Sequence, residues 1–571
     1  MYDITTGQWQ VTELLEKLKA EKHAANELQM RKHPDWNDNY DLYRGIVKTN
    51  RLTQRQNVCI PLMKETIKTM LSKNDEAPSV EWKELGGDED KEIIYQEIWD
   101  MGAKENKLEL GDMMDKKNVF LYGISTRKLN IGETGIDIDT LDPYDVVFDP
   151  LMSVGEVETA RFVIHQNIFK SVREIIASDY YTQEGKEELM IWLNSPVGIT
   201  QSNEDKKKWE EKMKRLKDMG VSNKDFALFA GGDRIVSITE HFTTVWKDDK
   251  WERRVVVYAD ESVELSNRTL KEATGVDFWP FVVWTEDPET TDMYSDSIAD
   301  LVRTPNKVIN VWYSQIIENR SLKNFQMHWF SPNGNYTPQT YTPGPGVMLP
   351  APPGEDINKV IKPVEISGLE DTMAAIDWIT SIVERGTGAT AIEKGEPEKG
   401  TQTLGEIQIL VGKAMERSVG IAKFYRLAYY ELCMKWSKML DANKPKIIKM
   451  YKPGRSGKMY TKKVFRSDWE SKDGYDAIIG SSSEQERDEL KNLQKWQFVI
   501  SQHPNNTALK SIALKRELES LDITPDELKQ IEEAEKQAAM QAANPQPQAA
   551  APGADMGNIQ SKLSELAGMV A

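Results

Sequence analysis

Apolar positions recur at helical spacing in the long stretches of this chain and alternate with polar ones in the short stretches. VTELLEKLKAEKHAANELQMRK, within residues 10–33, reads as a polar, exposed helix. Trp36 to Arg51 reads as a connector. Residues 56–74 read as a helix with Pro61, Met63, Ile67, Met70 and Leu71 on its apolar side. VEWKEL is a strand pattern, an acidic Gly-Asp turn follows it, and residues 89–121 have the spacing of one helix. Alternation then takes over. ISTRKLNI, GIDIDTL and YDVVFDP are strand patterns punctuated by Gly and Asp-Pro. Residues 156–180 mix both periods, and 203–219 (NEDKKKWEEKMKRLKDM) predicts a charged helix in an exposed insertion. Strand patterns return at 234–246, 251–265 and 278–284. The first half is expected to be an α+β body rich in antiparallel hairpins.

The second half changes character. Thr304-Pro305 supplies an N-cap and a first-turn proline. Val308, Ile309, Trp312 and Ile316 then hold one apolar stripe, which runs out near Asn324. Residues 325–366 combine many Pro and Gly with aromatics and short β-like pieces, which predicts a compact projecting module. Ser367-x-x-Glu370 is a capping box. Its helix carries Leu369, Met373, Ile376, Ile379 and Val383 and is expected to end at Arg385, with Gly386 as the stop. ERGTGATAIEKGEPEKGTQTLGE, from Glu384 to Glu406, has almost nothing to bury, and a loop of this length is functional or disordered. A helical pattern of nearly forty residues follows on Leu404, Ile407, Val411, Ala414, Ile421, Tyr425, Ala428, Leu432 and Met439, with Gly412 and Gly420 inside it. Residues 446–479 predict a hairpin around KPGRSGK. Helices are expected at 484–500, at 507–519 and from Thr524-Pro525. Residues 537–556 are low in complexity, and NIQSKLSELAGMV is a last short amphipathic helix.

Composition narrows the function. A chain of 571 residues is too long for one core. Its net charge of −18 disfavours a tight grip on phosphates. Cys59 and Cys433 are the two cysteines, too few for a disulfide framework and suited to a reducing compartment. No apolar leader and no run of membrane-spanning length stands in the sequence, so neither a signal peptide nor a span is expected. Sixteen tryptophans suggest large packed interfaces. The chain has no Gly-x-x-x-x-Gly-Lys-Ser/Thr loop, no His-Glu-x-x-His and no Cys/His cluster of metal spacing. Its six histidines, His23, His33, His165, His241, His328 and His503, are scattered. Asp142-Pro143, Asp145 and Asp149-Pro150 invite a metal or acid–base reading, but Asp-Pro also ends strands and starts turns. The charged run at 247–254 reads as a solvated strand face. No catalytic residue, metal or cofactor is expected.

The order of parts resembles the core of a phage portal protein, the head-to-tail connector of podovirus and siphovirus type. QNVCIPLMKETIKTMLSKNDEAPSVEW is similar to the N-terminal wing segment of that family. DKKNVFLYGISTRKL with IDIDTLDPYDVVFDP is similar to its Gly-centred hairpin and Asp-Pro strand ends. The resemblance implies an α+β portal fold divided as follows: an N-terminal helix and wing at 1–304, a first stem helix at 305–324, a clip at 325–366 and a second stem helix at 367–385. A tunnel loop at 386–403, a long wing helix and wing hairpin at 404–480, a helical crown at 481–535 and a low-complexity tail with a short helix at 536–571 complete it. It implies a virion protein, made in the host cytoplasm, that forms a homo-oligomeric ring of about a dozen copies, a dodecamer, at one capsid vertex. Double-stranded DNA would pass through it during packaging and ejection. The terminase large subunit, and later a head-tail adaptor, would dock on it, and it would meet major capsid and scaffold proteins but no membrane.

The resemblance also assigns residues. Thr387, Thr390, Glu393, Lys394, Glu396, Glu398, Lys399 and Thr401 would face the channel, and Gly386, Gly388, Gly395 and Gly400 would let the loop change shape. Phe325, Trp329, Phe330, Tyr336 and Tyr341 of the clip either meet partners or form the clip's own small core. Three Glu against two Lys make the loop no clamp. Each neutralised phosphate adds a salt slope of about −0.9, so a ring of lysines would hold DNA and stall it. An acidic wall repels only at short range, being screened beyond about 8–10 Å. Another structural virion protein, such as an adaptor or scaffold, is the alternative. A packaging ATPase or nuclease would need the missing phosphate loop or a carboxylate cluster, and an independent DNA-binding module would need the opposite charge.

Overall fold

The computed structural model describes residues 11–46, 58–74, 77–132, 135–152, 156–218, 234–247, 249–260, 263–289, 292–324, 328–330, 361–363, 370–387, 404–443, 447–453 and 459–481. The chain divides into two compact units, Met1–Ser482 and Ser483–Ala571, and every described residue lies in the first.

Helix α1 (Val11–Met30) is followed by α2 (His33–Arg44), where the apolar pattern predicts only a connector. Pro34 sits in the first turn of α2, Trp36, Leu42 and Tyr43 are buried, and Gly45 closes it at a φ of 78°. Asp and Asn hide this short apolar side in the sequence. Helix α3 (Leu62–Lys73) starts after Pro61 and not at residue 56, and β1 (Pro78–Glu84) follows. The single helix expected over 89–121 is two, α4 (Glu89–Glu105) and α5 (Leu108–Tyr122). Lys107 breaks them with a φ of 51°, and Asn106 Nδ2 turns back to the Gly102 carbonyl at 2.9 Å.

Strands β2 (Ile124–Ile131), β3 (Ile136–Leu141), β4 (Val146–Phe148) and β5 (Phe162–Ser171) lead to α6 (Val172–Ala177), α7 (Gln183–Leu193) and α8 (Pro196–Asp218). Helix α8 is longer than the predicted insertion and is packed into the body. Trp209 and Met213 are buried with Ile235, and Ser202 Oγ donates to the Ile235 carbonyl at 2.9 Å. Next come β6 (Ile235–Lys247), β7 (Lys250–Ala259), β8 (Val263–Thr269), α9 (Leu270–Thr274) and β9 (Phe281–Thr285), so the 251–265 pattern is two strands. The antiparallel order β4-β5-β6-β7-β8 forms one sheet and β3-β2-β9 another. Gly123 joins α5 to β2 at a φ of 80°, and a Cβ there would lie 2.1 Å from the Ser295 carbonyl oxygen.

The remaining elements are α10 (Ile298–Asn324), β10 (His328–Phe330), β11 (Ile361–Pro363), α11 (Glu370–Thr387), α12 (Leu404–Asn443), β12 (Ile447–Pro453), β13 (Met459–Phe465), α13 (Arg466–Trp469) and β14 (Tyr475–Ser481). β12 and β13 form the expected hairpin. β14 pairs with β1 along its length, from Pro78↔Ser481 to Glu84↔Tyr475. This long-range pair closes an aromatic core in which Trp99 meets Trp436 edge-on at 4.9 Å and Tyr95 stacks on Tyr475. A larger core lies among α2, α3, α5, α10 and the five-stranded sheet. The fold class is α+β, as the pattern predicts.

Candidate functional site: a helical pair, a long helix and their anchors

Helix α10 starts at Ile298, ahead of the predicted Thr304 cap, and holds Pro305 inside it. The operating cap is Ser297: its Oγ accepts from Asp300 N at 3.2 Å, and Asp300 Oδ2 accepts from Ser297 N at 2.8 Å. Pro305 removes one backbone bond, and buried Val302, Asn306 and Ile309 hold the helix across the gap. Asn306, Asn310 and Ser314, four residues apart, make a polar ridge within the buried side. Asn306 Oδ1 accepts from Met63 N at 3.0 Å, Asn310 Oδ1 from Ile60 N at 2.8 Å and Ser314 Oγ from Val58 N at 3.3 Å. These side chains satisfy the extended backbone at Val58 and Ile60 before α3 and one amide in the first turn of α3, at Met63, none of which has an intrahelical partner. The i, i+4 spacing of Asn306 and Asn310 beside the apolar stripe was the available sequence signal.

Helix α11 packs on α10 through buried Ile376 and Val383, which share a cluster with Ile309. It does not stop at Arg385. Gly386 lies within the last turn and Thr387 ends the helix, buried, with Oγ1 donating to the Val383 carbonyl at 2.8 Å. The helix therefore runs two residues past its expected end, because Thr387 bonds back into it. On the far side of α11, Trp378 is 63% exposed and Ile382, one turn on, 40% exposed. Helix α12 spans 40 residues. Tyr425, Leu432 and Met439 of the predicted stripe are buried, joined by Tyr429, Cys433 and Trp436. The opposite face shows Phe424, 41% exposed, and Leu427, 60% exposed.

Buried charges fix the C-terminal half of α12 to the body. Tyr425 OH donates to Asp112 Oδ1 at 2.8 Å, and Arg127 Nη2 pairs with the same oxygen at 2.5 Å. Arg127 Nε pairs with Asp115, whose Oδ1 also accepts from Ser125 Oγ at 2.7 Å. Burial pushes the Asp115 carboxyl up although Arg127 pulls it down. Arg127 stays charged against its own burial because Asp115, Tyr425 and Asp112 surround it. Lys435 Nζ donates to the carbonyls of Trp279 at 3.0 Å and Phe281 at 2.7 Å, and Tyr95 OH to Ser437 Oγ at 2.7 Å. A second buried group joins the two sheets. Lys128 pairs with Glu240, and His165 Nδ1 lies 3.6 Å from the same carboxylate. Burial, with Lys128 nearby, lowers His165 to about 4, and Lys128 and His165 hold Glu240 well below the usual carboxylate range against its own burial.

Asp142, Asp145 and Asp149 serve turns and ion pairs. Asp142 Oδ1 accepts from Tyr144 N at 3.2 Å and its carboxylate pairs with Arg215, while Asp145 pairs with Lys212. Asp149 accepts from Leu151 N at 3.0 Å and pairs with Arg161 at 2.6 Å. The 247–254 run is less solvated than its pattern predicts, since Arg253 stacks over Trp279 at 4.7 Å and pairs with Glu158 at 2.7 Å. A cleft of about 650 Å³ beside α8 is lined by Tyr144, Asn167, Lys212 and Arg215, whose polar groups already bind one another or the surrounding chain. Among the described residues no group of His, Cys, Asp and Glu could hold a metal ion, and no helix is long and apolar enough to cross a membrane.

Of the residues singled out for the clip, Trp329 and Phe330 lie in β10, which pairs antiparallel with β11, with Trp329 in register with Lys362 and Phe330 with Ile361. Phe325, Tyr336 and Tyr341 lie outside the described residues. So do Gly388, Thr390, Glu393, Lys394, Gly395, Glu396, Glu398, Lys399, Gly400 and Thr401 of the loop, the cap residue Ser367, and everything after Ser481.

A family model, the phage SU10 portal protein, matches residues 37–561. The chain belongs to this portal family. The portal match takes in every element from α3 to β14, and α1 precedes it. A chain from the virion of a native gene transfer agent (GTA) particle is similar at 12% identity and a TM-score of 0.31, covering 71% of the portal chain and 79% of that chain. No curated protein matches the portal chain.

Proposed function

We propose that this portal chain forms a closed ring of about a dozen copies at one capsid vertex, around a channel that passes double-stranded DNA. Helices α10 and α11 act as the two stem helices, the β10–β11 pair belongs to the clip, and residues 388–403 form the tunnel loop. The body before α10, together with α12 and the β12–β13 hairpin, forms the wing. Residues 481–535 form the crown and 536–571 the tail. The clip takes the terminase large subunit during packaging and a head-tail adaptor afterwards, and the wing meets major capsid and scaffold proteins. The role is structural, with no catalytic step.

One observation carries the ring. Helices α11 and α12 each bury one face in the chain and leave apolar side chains on the other, Trp378 and Ile382 on α11, Phe424 and Leu427 on α12. A second apolar face on a helix asks for a partner, and in a ring each copy supplies it to the next. The loop carries Glu393, Glu396 and Glu398 against Lys394 and Lys399. That balance suits a wall along which a polyanion slides. Shortening the loop between Gly388 and Gly400 tests the channel role. Particles built with the shortened chain are expected to contain normal rings and markedly less nuclease-protected DNA. Failure of ring formation would make the loop an assembly element and overturn its assignment to the channel.

A further inference from the structure

A ring built by rotation repeats one contact, in which one flank of each copy meets a different flank of the next. Helix α10 packs against α2, α3 and α5 of the body and against α11, with α3 and α11 on different sides. Its Asn306–Asn310–Ser314 ridge serves the segment leading into α3, and its apolar side, Ile309, Trp312 and Ile316, joins the cluster of Ile376 and Val383 on α11. The two ridges are about a third of a turn apart around α10. The flanks they lead to differ in charge. On the α3 flank, Lys64 and Lys68 stand one turn apart on the exposed side, with Arg44 at the end of α2 and Lys117 of α5 beside them. Glu65 and Asp41 border this group of four cations. Lys117 lies over the Tyr43 ring at 5.0 Å. Burial first, then the charges of Arg44, Lys64 and Lys68, lower its ammonium to about 8. On the α11 flank, exposed Asp377 and half-buried Glu384 lie two turns apart on one side of the helix, about a third of a turn from the Trp378–Ile382 ridge.

We propose that the cluster of Arg44, Lys64, Lys68 and Lys117 receives the acidic edge of α11, Asp377 and Glu384, from the adjacent copy; this contact rests on the ring reading above. Opposite charges on the two flanks steer copies together in one orientation and penalise the like-to-like pairing that would give a dimer in place of a ring. Nucleic acid is the weaker occupant. Four cations fall short of the roughly six to ten phosphate contacts of a salt-sensitive DNA binder. A chain of net charge −18 repels a polyanion on approach, whereas another copy brings its carboxylates to short range.

The test is assembly of the full chain, followed by sedimentation velocity and electron microscopy at low and high salt. Lys64→Glu with Lys68→Glu, and separately Asp377→Lys with Glu384→Lys, should each raise the concentration needed for half-maximal assembly roughly tenfold. Circular dichroism and melting temperature should stay at wild-type values. Combining all four reversals should restore assembly, and Lys64→Arg with Lys68→Arg should leave it intact. Rings that form equally well in each charge-reversed variant would overturn this contact and leave the ring reading standing. So would a loss that the combined variant does not restore. A wild-type chain that stays monomeric throughout would contradict both. Binding of a short DNA duplex that Lys64→Glu and Lys68→Glu abolish, with rings intact, would make the cluster a phosphate site and overturn the copy-to-copy contact.

Discussion

Arg127 is the residue on which the charged interior most depends, because it ties α5, β2 and the long helix α12 at one point. Removing it leaves Asp112 and Asp115 buried without their cation. Arg127→Met is therefore expected to destabilise the chain by about 3–5 kcal/mol in chemical denaturation, against about 1–2 kcal/mol for Tyr425→Phe, which removes the hydroxyl's bond to Asp112 and its longer one from Arg127 but leaves the charges paired. His165 gives a pH signature. Its folded value is depressed to about 4 from an ordinary 6.5, so its contribution is complete above pH 6.5 and is lost as pH falls toward 4. The loss approaches about 3 kcal/mol. Asp145, raised by burial to about 6, works the other way, its favourable contribution fading as pH rises from about 4 to 6. The comparison with His165→Gln isolates the histidine: wild type should lose more stability than the variant between pH 6.5 and 4. Equal losses would contradict this assignment. Neither group was legible in the sequence. ISTRKLNI alternates as if one face met water, yet Ser125, Thr126, Arg127 and Lys128 are all buried. The strand is covered on one side by α5 and α12 and linked through Lys128 to Glu240 of the five-stranded sheet.

At the scale of elements, the stripes were readable wherever one face alone is buried. Ile309 of α10, Ile376 and Val383 of α11, and Tyr425, Leu432 and Met439 of α12 all point inward as their spacing predicts. The β12–β13 pair was readable because its two strands are close neighbours in the sequence. The misses have separate causes. The Ser297–Asp300 cap outweighs a mid-helix proline, Lys107 adopts a left-handed backbone that no Gly announces, and β1 finds β14 from the far end of the unit. Of the candidate site, helices α10, α11 and α12 were legible, and their order carried the family resemblance. Trp378 and Ile382 give the prediction at this scale. Trp378→Glu with Ile382→Glu should leave the melting temperature of the isolated chain within a few degrees, since both side chains are exposed, and should abolish assembly by light scattering. A large drop in melting temperature with assembly retained would show that this ridge packs within the chain and not against a neighbour.

For the whole molecule, an excess of carboxylates, long helices with a second apolar face, and a family match over residues 37–561 lead to one account. In the proposed ring, each portal subunit is completed by its neighbours, and the inner wall lets DNA slide. Electron microscopy of the purified full chain, with class averages viewed down the particle axis, tests that claim most directly. The account predicts closed rings of about a dozen copies around an open channel wide enough for duplex DNA. Open filaments, or a closed particle with no channel, would contradict it.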